Sequence, residues 1–406
     1  MINMNQRKRF RVSGHILALV VSIVVIVTLM ALSMLSLGLN SRTLAVRTTQ
    51  KIQARCAADA GLTKALYEMN EQLKVKPWDD SSLPYSTDET LPNFDGVFSY
   101  KVAKEAGNSY IVTSVGTAGI IEKEIYSTIG FQGLFDHAIL TKGQMTLKSN
   151  TLIDGYNSTD PGDTDVEVKI GTISISGDQI ILNSSVVVDG DVVVGVDGDI
   201  NTVIKDLGAT TGDQYSMLEV PPLPFVTPPV LPDAGMDITV KGGTTTIGPA
   251  DSGEYTGIDI SQKGTLEISG GDVKLYITGD IDLGQGCEFI VESGASLELY
   301  VDGDIECKND STLGGESFSD PKAFQLYATG AGSQAFDIKA KSDWCGVIYA
   351  PNADIILYAK GNCYGSVVSG SFEYKSDGNF YYDEALRNVS ANDDYVRFVV
   401  KRWSER

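Results

Sequence analysis

Outside the apolar segment near the amino terminus the chain has a single histidine, His137. Nucleophilic hydrolysis of the serine-protease kind needs an imidazole beside a hydroxyl or thiol and a carboxylate that orients it. His137 lies in Phe135-Asp136-His137-Ala138-Ile139, a strand-like context with no such partner motif, and it reads as structural. Carboxylates are plentiful and regularly spaced: Asp189/Asp191, Asp197/Asp199, Asp280/Asp282 and Asp302/Asp304 recur at i, i+2, mostly as D-G-D. The plainest chemistry for that pattern is turn formation, since Asp accepts hydrogen bonds from its own backbone. Calcium at stacked Asp corners is the ion-binding option, although the calcium-binding nonapeptide repeat is absent. Paired carboxylates of a glycosidase, or a lyase-like site, are a third. No Gly-rich phosphate loop is present. The sequence therefore predicts no catalytic residue, no metal ligand and no cofactor beyond the calcium option.

The elements that would position such groups begin with an uncharged run, Ile16–Leu39, directly behind Arg7, Lys8, Arg9 and Arg11. At about 1.5 Å per residue it spans about 36 Å, enough to cross a ~30 Å hydrocarbon core once. Its flank of Lys and Arg should stay cytoplasmic, which exports the remainder. A cleaved secretory signal has a shorter apolar core and a small-residue site after it, and a buried soluble helix would not be apolar on every face. Beyond the run, Ala58, Leu62, Ala65, Leu66, Met69 and Leu73 recur at helical spacing. One helix over residues 15–75 is therefore expected, half in lipid and half amphipathic. Pro77 is the expected stop.

Charge is segregated along the chain. Residues 1–55 contain eight Lys or Arg and no acid, so a whole-chain charge of −21 leaves −29 on residues 56–406. Such a surface disfavours nucleic acid and anionic headgroups.

Residues 76–132 read as a small domain: a Pro-, Ser- and Asp-rich loop over 76–93, then alternating strands over 96–102, 109–116 and 120–131 in a meander. From residue 133 to 386 short β-rich runs are separated by Gly, Asp, Asn and Ser. Leu275-Tyr276-Ile277-Thr278-Gly279-Asp280-Ile281-Asp282 echoes position for position in Leu299-Tyr300-Val301-Asp302-Gly303-Asp304-Ile305-Glu306. A repeat of that length with Gly/Asp corners predicts a parallel β-solenoid; a β-sandwich would also give short strands but needs no echo. Residues 220–232 hold six of the 13 prolines and no charge. They cannot lie inside a sheet and read as a polyproline-like strap on the surface, as a linker between two solenoid halves, or as a proline-motif ligand. Residues 387–406 read as a C-terminal tail.

Of five cysteines, Cys56 is on the helix. Cys287 and Cys307, and likewise Cys345 and Cys363, are separated by close to one rung. In an exported domain each pair is a disulfide candidate, with reduced interior ladder residues as the alternative; neither has the C-x-x-C spacing of a metal site. Tyr364, Phe372, Tyr374, Phe380, Tyr381 and Tyr382 read either as a carbohydrate- or partner-facing stripe or as plain core.

Two stretches resemble known families. The basic leader ending in Gly14, the apolar segment and Ala54-Arg55-Cys56-Ala57-Ala58-Asp59-Ala60-Gly61-Leu62 resemble the start of PilX-like minor pilins of type IV pili. The segments Tyr110–Gly116 and Glu122–Ile129 resemble the strand pair that follows the helix there. The resemblance implies cleavage after Gly14 by a prepilin peptidase and a mature amino terminus at His15. Leu19 stands where major pilins carry the glutamate that pairs with a neighbour's amino terminus, a departure shared with certain tip-located subunits. Gly346-Val347-Ile348-Tyr349-Ala350-Pro351-Asn352-Ala353, Gly365-Ser366-Val367-Val368-Ser369 and Tyr382-Asp383-Glu384-Ala385-Leu386 are similar to a β-helical C-terminal domain of unknown function in bacterial envelope proteins. Together these imply a mainly β protein: a long membrane and amphipathic α-helix, a small α+β pilin-like domain and a parallel β-helix. The implied role is a non-catalytic pilin-like subunit of a pilus or secretion system, in the bacterial inner membrane with its C-terminal domain exported to the pilus or cell surface. Its partners would be the membrane, other pilin or pseudopilin subunits and, in an adhesive role, surface carbohydrate, with no nucleic acid. The alternative is a membrane-anchored β-helix that acts on or binds polysaccharide.

Overall fold

The structure is a computed structural model that describes residues 15–90, 95–105, 109–160, 166–315, 320–376, 378–387, 389, 391 and 395–405. The protein is mainly β, with 46% of residues in strands, a long N-terminal helix and a parallel β-solenoid of about 9 turns. It divides into two compact units, residues 1–131 with 398–406, and residues 132–397.

In the first unit, α1 (His15–Leu73) is one continuous helix. Its second half buries Ala54, Ala57, Ala58, Ala65, Met69 and Leu73 on a five-stranded sheet. That sheet is ordered β1 (Tyr85–Thr90), β2 (Gly96–Lys104), β3 (Ser109–Ala118), β4 (Ile121–Gln132) and then the C-terminal strand Arg397–Glu405. The small residues of Ala54–Gly61 have a clear purpose. A Cβ on Gly116 of β3 would collide with the Ala54 carbonyl and the Ala58 amide and fall 2.9 Å from Ala57 Cβ. Ser114 Oγ, beside it, donates to the Ala58 carbonyl at 2.7 Å. The helix therefore lies almost backbone to backbone on β3, and only Ala and Gly fit between them.

Two segments differ from the sequence reading. Residues 85–90, expected as loop, form the first strand, and residues 397–405, expected within a tail, form the fifth. Neither shows apolar alternation, because each is a sheet edge with one anchored residue at most. For the C-terminal strand the anchor is Phe398, 1% exposed, against Trp78, Tyr110 and Phe131 with ring centroids at 5.5, 5.2 and 4.7 Å. Asn70 of α1 fixes its backbone: Oδ1 accepts from the Phe398 amide at 2.8 Å, and Nδ2 donates to the Phe398 carbonyl at 3.2 Å.

The second unit is the solenoid. Parallel pairing stacks one inward position from every level into a continuous ladder: Ile238, Ile258, Ile281, Ile305, Phe336, Ile355, Phe372, Met145, Ile180 and Ile204. All ten are buried, and the two at the ends are the most exposed, at 7% and 8%. The order of that ladder is not the order of the sequence. Residues 238–383 wind from one end inwards, and residues 139–216 continue from there to the other end. The two arms meet where Val367 pairs Ile139, Phe372 pairs Met145 and Phe380 pairs Ile153. The echo of 275–282 in 299–306 is one level: Tyr276 pairs Tyr300 and Ile281 pairs Ile305.

This topology makes the proline-rich segment necessary. After Ser216 the chain stands at the far end of the first arm and must return to the opposite end to begin the second. On that face about ten level spacings, or about 48 Å, separate them. Sixteen residues reach about 50 Å as polyproline II but only about 24 Å as α-helix. Residues 220–232 are thus both strap and linker. They lie on one face of the solenoid: Val226 is buried, Tyr349 Oη donates to the Pro224 carbonyl at 2.8 Å, and Tyr395 Oη donates to the Thr227 carbonyl at 3.2 Å. The outward column on that face, Tyr276, Tyr300, Tyr327 and Tyr349, supplies an aromatic bed.

Gly116→Val should lower the melting temperature of the full chain in detergent, at a cost of about 1–3 kcal/mol or more for overpacking. Gly38→Ala, whose added Cβ meets nothing within 4 Å, is the matched control and should not lower it.

Candidate functional site

The first half of α1 is where the structure leaves most apolar surface uncovered. From Leu17 to Leu39 every residue is exposed, including Leu19, Val24, Leu29 and Leu37 at 63, 58, 59 and 69%. Three of its hydroxyls are satisfied internally. Ser22, Thr28 and Ser33 each donate to the carbonyl one helical turn back, at 2.8, 2.7 and 2.8 Å, so an apolar surrounding would strand none of these hydroxyls. Among the described residues this is the one helix long and apolar enough to cross a membrane. His15 begins it; Gly14, the candidate cleavage position, lies outside the described residues.

In the solenoid most of the paired carboxylates are corner pieces, while Asp282 faces outward from the middle of the strand Ile281–Leu283. Asp280 Oδ1 accepts from the Asp304 amide, and Asp304 Oδ1 accepts from the Ala335 amide, both at 2.8 Å. Asp191 Oδ1 does the same for Asp213 at 3.2 Å. Asp302 accepts from Tyr276 Oη at 2.7 Å and from Thr329 Oγ1 at 2.5 Å. Asp199 caps the short helix Ile200–Val203, and the Asn201 amide holds its carboxyl below the usual range. A second corner ladder runs Asp343 to Asn362 to Asn379 to Leu152, each side-chain oxygen accepting from the next backbone amide at 2.8, 3.0 and 3.2 Å. Its last step crosses the joint between the two arms. Among the described residues no group of three or more His, Cys, Asp or Glu is arranged to hold a metal ion.

The motif landmarks resolve into packing. Asp383 of Tyr382-Asp383-Glu384-Ala385-Leu386 is 1% exposed. It accepts from the Ser158 amide and hydroxyl at 3.0 and 2.6 Å and from the Ala385 amide at 3.0 Å. Tyr382 Oη donates to the Phe135 carbonyl at 2.8 Å. In Tyr349-Ala350-Pro351-Asn352-Ala353 the pairing register shifts between Ala350 and Asp354, while the strand Trp344–Ala359 runs on. Of the aromatic stripe, Phe372, Tyr374, Phe380 and Tyr382 are core. Tyr364 and Tyr381 stack outside it with centroids 5.3 Å apart.

The disulfide candidates do not come together, and neither pair is bridged. Cys307 stacks on Leu283, whereas the Cys287 carbonyl receives the Thr312 amide, because a level here runs from Leu283 to Cys307 and outreaches the spacing of the two cysteines. Cys363 pairs Trp344 and Cys345 pairs Tyr364, so this second spacing falls one position short of a level and places the thiols on opposite faces. Burial pushes Cys307 and Cys363 up to about 12 and raises Cys345 as well; Cys56 is exposed on α1. Burial also pushes the His137 imidazole down to about 4, with Asp136 opposing and Lys169 and Arg387 reinforcing. That suits a neutral structural residue, not a base poised near neutrality.

The sequence reading missed a surface that the pairing assembles. On one face of the solenoid, acid and base alternate at i, i+2 on successive levels: Glu306/Lys308, Asp337/Lys339 and Glu373/Lys375. Between the last two pairs the level carries Ile356 and Tyr358 instead, since Asp337 pairs Ile356, Ile356 pairs Glu373, and Lys339 pairs Tyr358. The recurring acid-x-Lys in short strands was the available signal.

Compared with known proteins, residues 232–389 match a domain of unknown function, DUF7305. They span the second arm, from the end of the strap to just past the joint with the first. No curated protein matches the chain. Among solved structures it is similar to the competence-associated pilin ComZ from Thermus thermophilus. Identity is 14%, over 88% of this chain and 98% of that one, with a TM-score of 0.23. A superposition that loose carries no argument about this chain.

A maleimide should modify Cys56 alone in the native protein, the buried thiols reacting only after unfolding; native modification of Cys307 or Cys363, read by peptide mass, would contradict the packing. Between the unfolded value of 6.5 and the folded value of about 4 for His137, the unfolded chain binds more protons, so acidification through that window removes stability. His137→Gln should therefore lose less melting temperature than the wild type between pH 6.5 and pH 4.

Proposed function

We propose that this chain is a membrane-tethered, pilin-like structural subunit that displays a β-solenoid outside the membrane for assembly or adhesion and turns over no substrate. The observation that supports it is the division of α1. One half is apolar and uncovered over Leu17–Leu39, while the other lies on an antiparallel sheet through a seam of Ala and Gly. An apolar helix with internally bonded hydroxyls suits lipid or the packed centre of a helical fibre. Its partners on this reading are the membrane and other subunits with the same kind of helix. Leu19 in place of a carboxylate favours a capping or anchoring position over a repeating shaft, because an uncharged side chain cannot draw a neighbour's amino terminus into register. A non-catalytic solenoid agrees with corner carboxylates committed to backbone amides and an imidazole held neutral.

Mass spectrometry of the amino terminus after expression in a bacterium with a prepilin peptidase tests this reading. A mature chain starting at His15, methylated on its amine, is the expected result. An intact Met1 in the membrane fraction would leave a plain anchor and overturn the pilin-like assignment.

A further inference from the structure

We infer that the outward face around Ile356 and Tyr358 is a binding groove for a linear, hydroxyl-rich saccharide. Four successive levels meet there in register: Ala335, Asp337 and Lys339; Asp354, Ile356 and Tyr358; Ser371, Glu373 and Lys375; and Gln144, Thr146 and Lys148. Three levels come from the second arm and one from the first. Two concavities of about 440 and 430 Å³ lie on it, end to end, with Asp337 and Ile356 in the wall of both. Each falls in the size range of small-ligand sites.

The chemistry of this grid narrows the occupant. Its apolar part is one level deep: Ile356 and Tyr358, both half-buried, lie side by side on one strand. Directly above and below, about 4.8 Å away, stand the ion pairs Asp337–Lys339 at 2.6 Å and Glu373–Lys375 at 2.8 Å. A ring that presents a face of C–H groups to the middle level would meet carboxylate acceptors and ammonium donors on both sides, and hydroxyls can serve both. Asp337 presents part of its carboxylate to the groove, its side chain 39% exposed, while Oδ2 holds Lys339.

Other occupants fit less well. A peptide added as a strand needs an unpaired edge, and these strands are paired on both sides. Nucleic acid meets a solenoid whose residues 132–397 include 41 Asp or Glu against 15 Lys or Arg. A lipid chain needs more apolar length than one Ile and one Tyr. This inference is independent of whether α1 assembles into a fibre.

The test is calorimetric titration of the full chain, in a zwitterionic detergent without a sugar headgroup, with cellohexaose, chitohexaose and maltohexaose. At least one should bind, and Tyr358→Ala and Asp337→Asn should each weaken it about tenfold or more without a change in melting temperature. Asp259→Asn, in the same outward column three levels away, should leave binding unchanged. The proposal is overturned if none of the three binds at about 5 mM, or if a bound sugar is held equally well by Tyr358→Ala and Asp337→Asn.

Discussion

In-register stacking of parallel strands is the constraint from which the rest of the solenoid follows. Each backbone N–H and C=O of an inner level is satisfied only by the levels above and below, and a slip of one position would turn every side chain to the wrong face. The ladder from Ile238 to Ile204 shows how strictly this is met, with Phe and Met admitted only at the central levels. Once that ladder is fixed, the corners have little freedom, and Asp and Asn occupy them because a short side-chain oxygen can receive the amide of the next level. Of the paired carboxylates, Asp191, Asp280 and Asp304 are, in the fold, a second set of rungs.

The solenoid's two arms are held together without a covalent link at their joint. Its strength rests on the same ladder contacts, on the Asn379 side chain that reaches the Leu152 amide, and on the strap that ties the far ends along a bed of tyrosines. In the other unit the corresponding closure is the C-terminal strand, which Asn70 and the aromatic cluster around Phe398 dock as the fifth strand of the sheet. The same economy appears at both places: a segment with little hydrophobic pattern of its own is placed by a few directional bonds to a preformed surface.

The long helix, the β-rich texture and the repeat of 275–282 in 299–306 were legible because each is a local recurrence of apolar spacing. The order of the levels was not. Nothing in Val367 or Ile139 says that they adjoin across so long a stretch of sequence, since every level presents the same Ile/Val/Leu pattern and could stack on any other. The disulfide expectation failed for a related reason. It assumed a uniform rung, whereas the level from Leu283 to Cys307 takes more chain than the level from Trp344 to Cys363. The edge strands at 85–90 and 397–405 escaped notice because an edge needs no alternation. The groove at Ile356 and Tyr358 was hidden because its residues are near neighbours in space and belong to four separate stretches of chain.

The strap sets a length rule for the whole solenoid. Adding a turn at either free end moves that end outward by about 4.8 Å, and the strap must grow by about one and a half polyproline residues to reach it. Its residues thus act as a ruler. A chain of this architecture can gain or lose turns only if the proline-rich segment changes with them, and the number of turns is readable from the length of a segment that belongs to none of them.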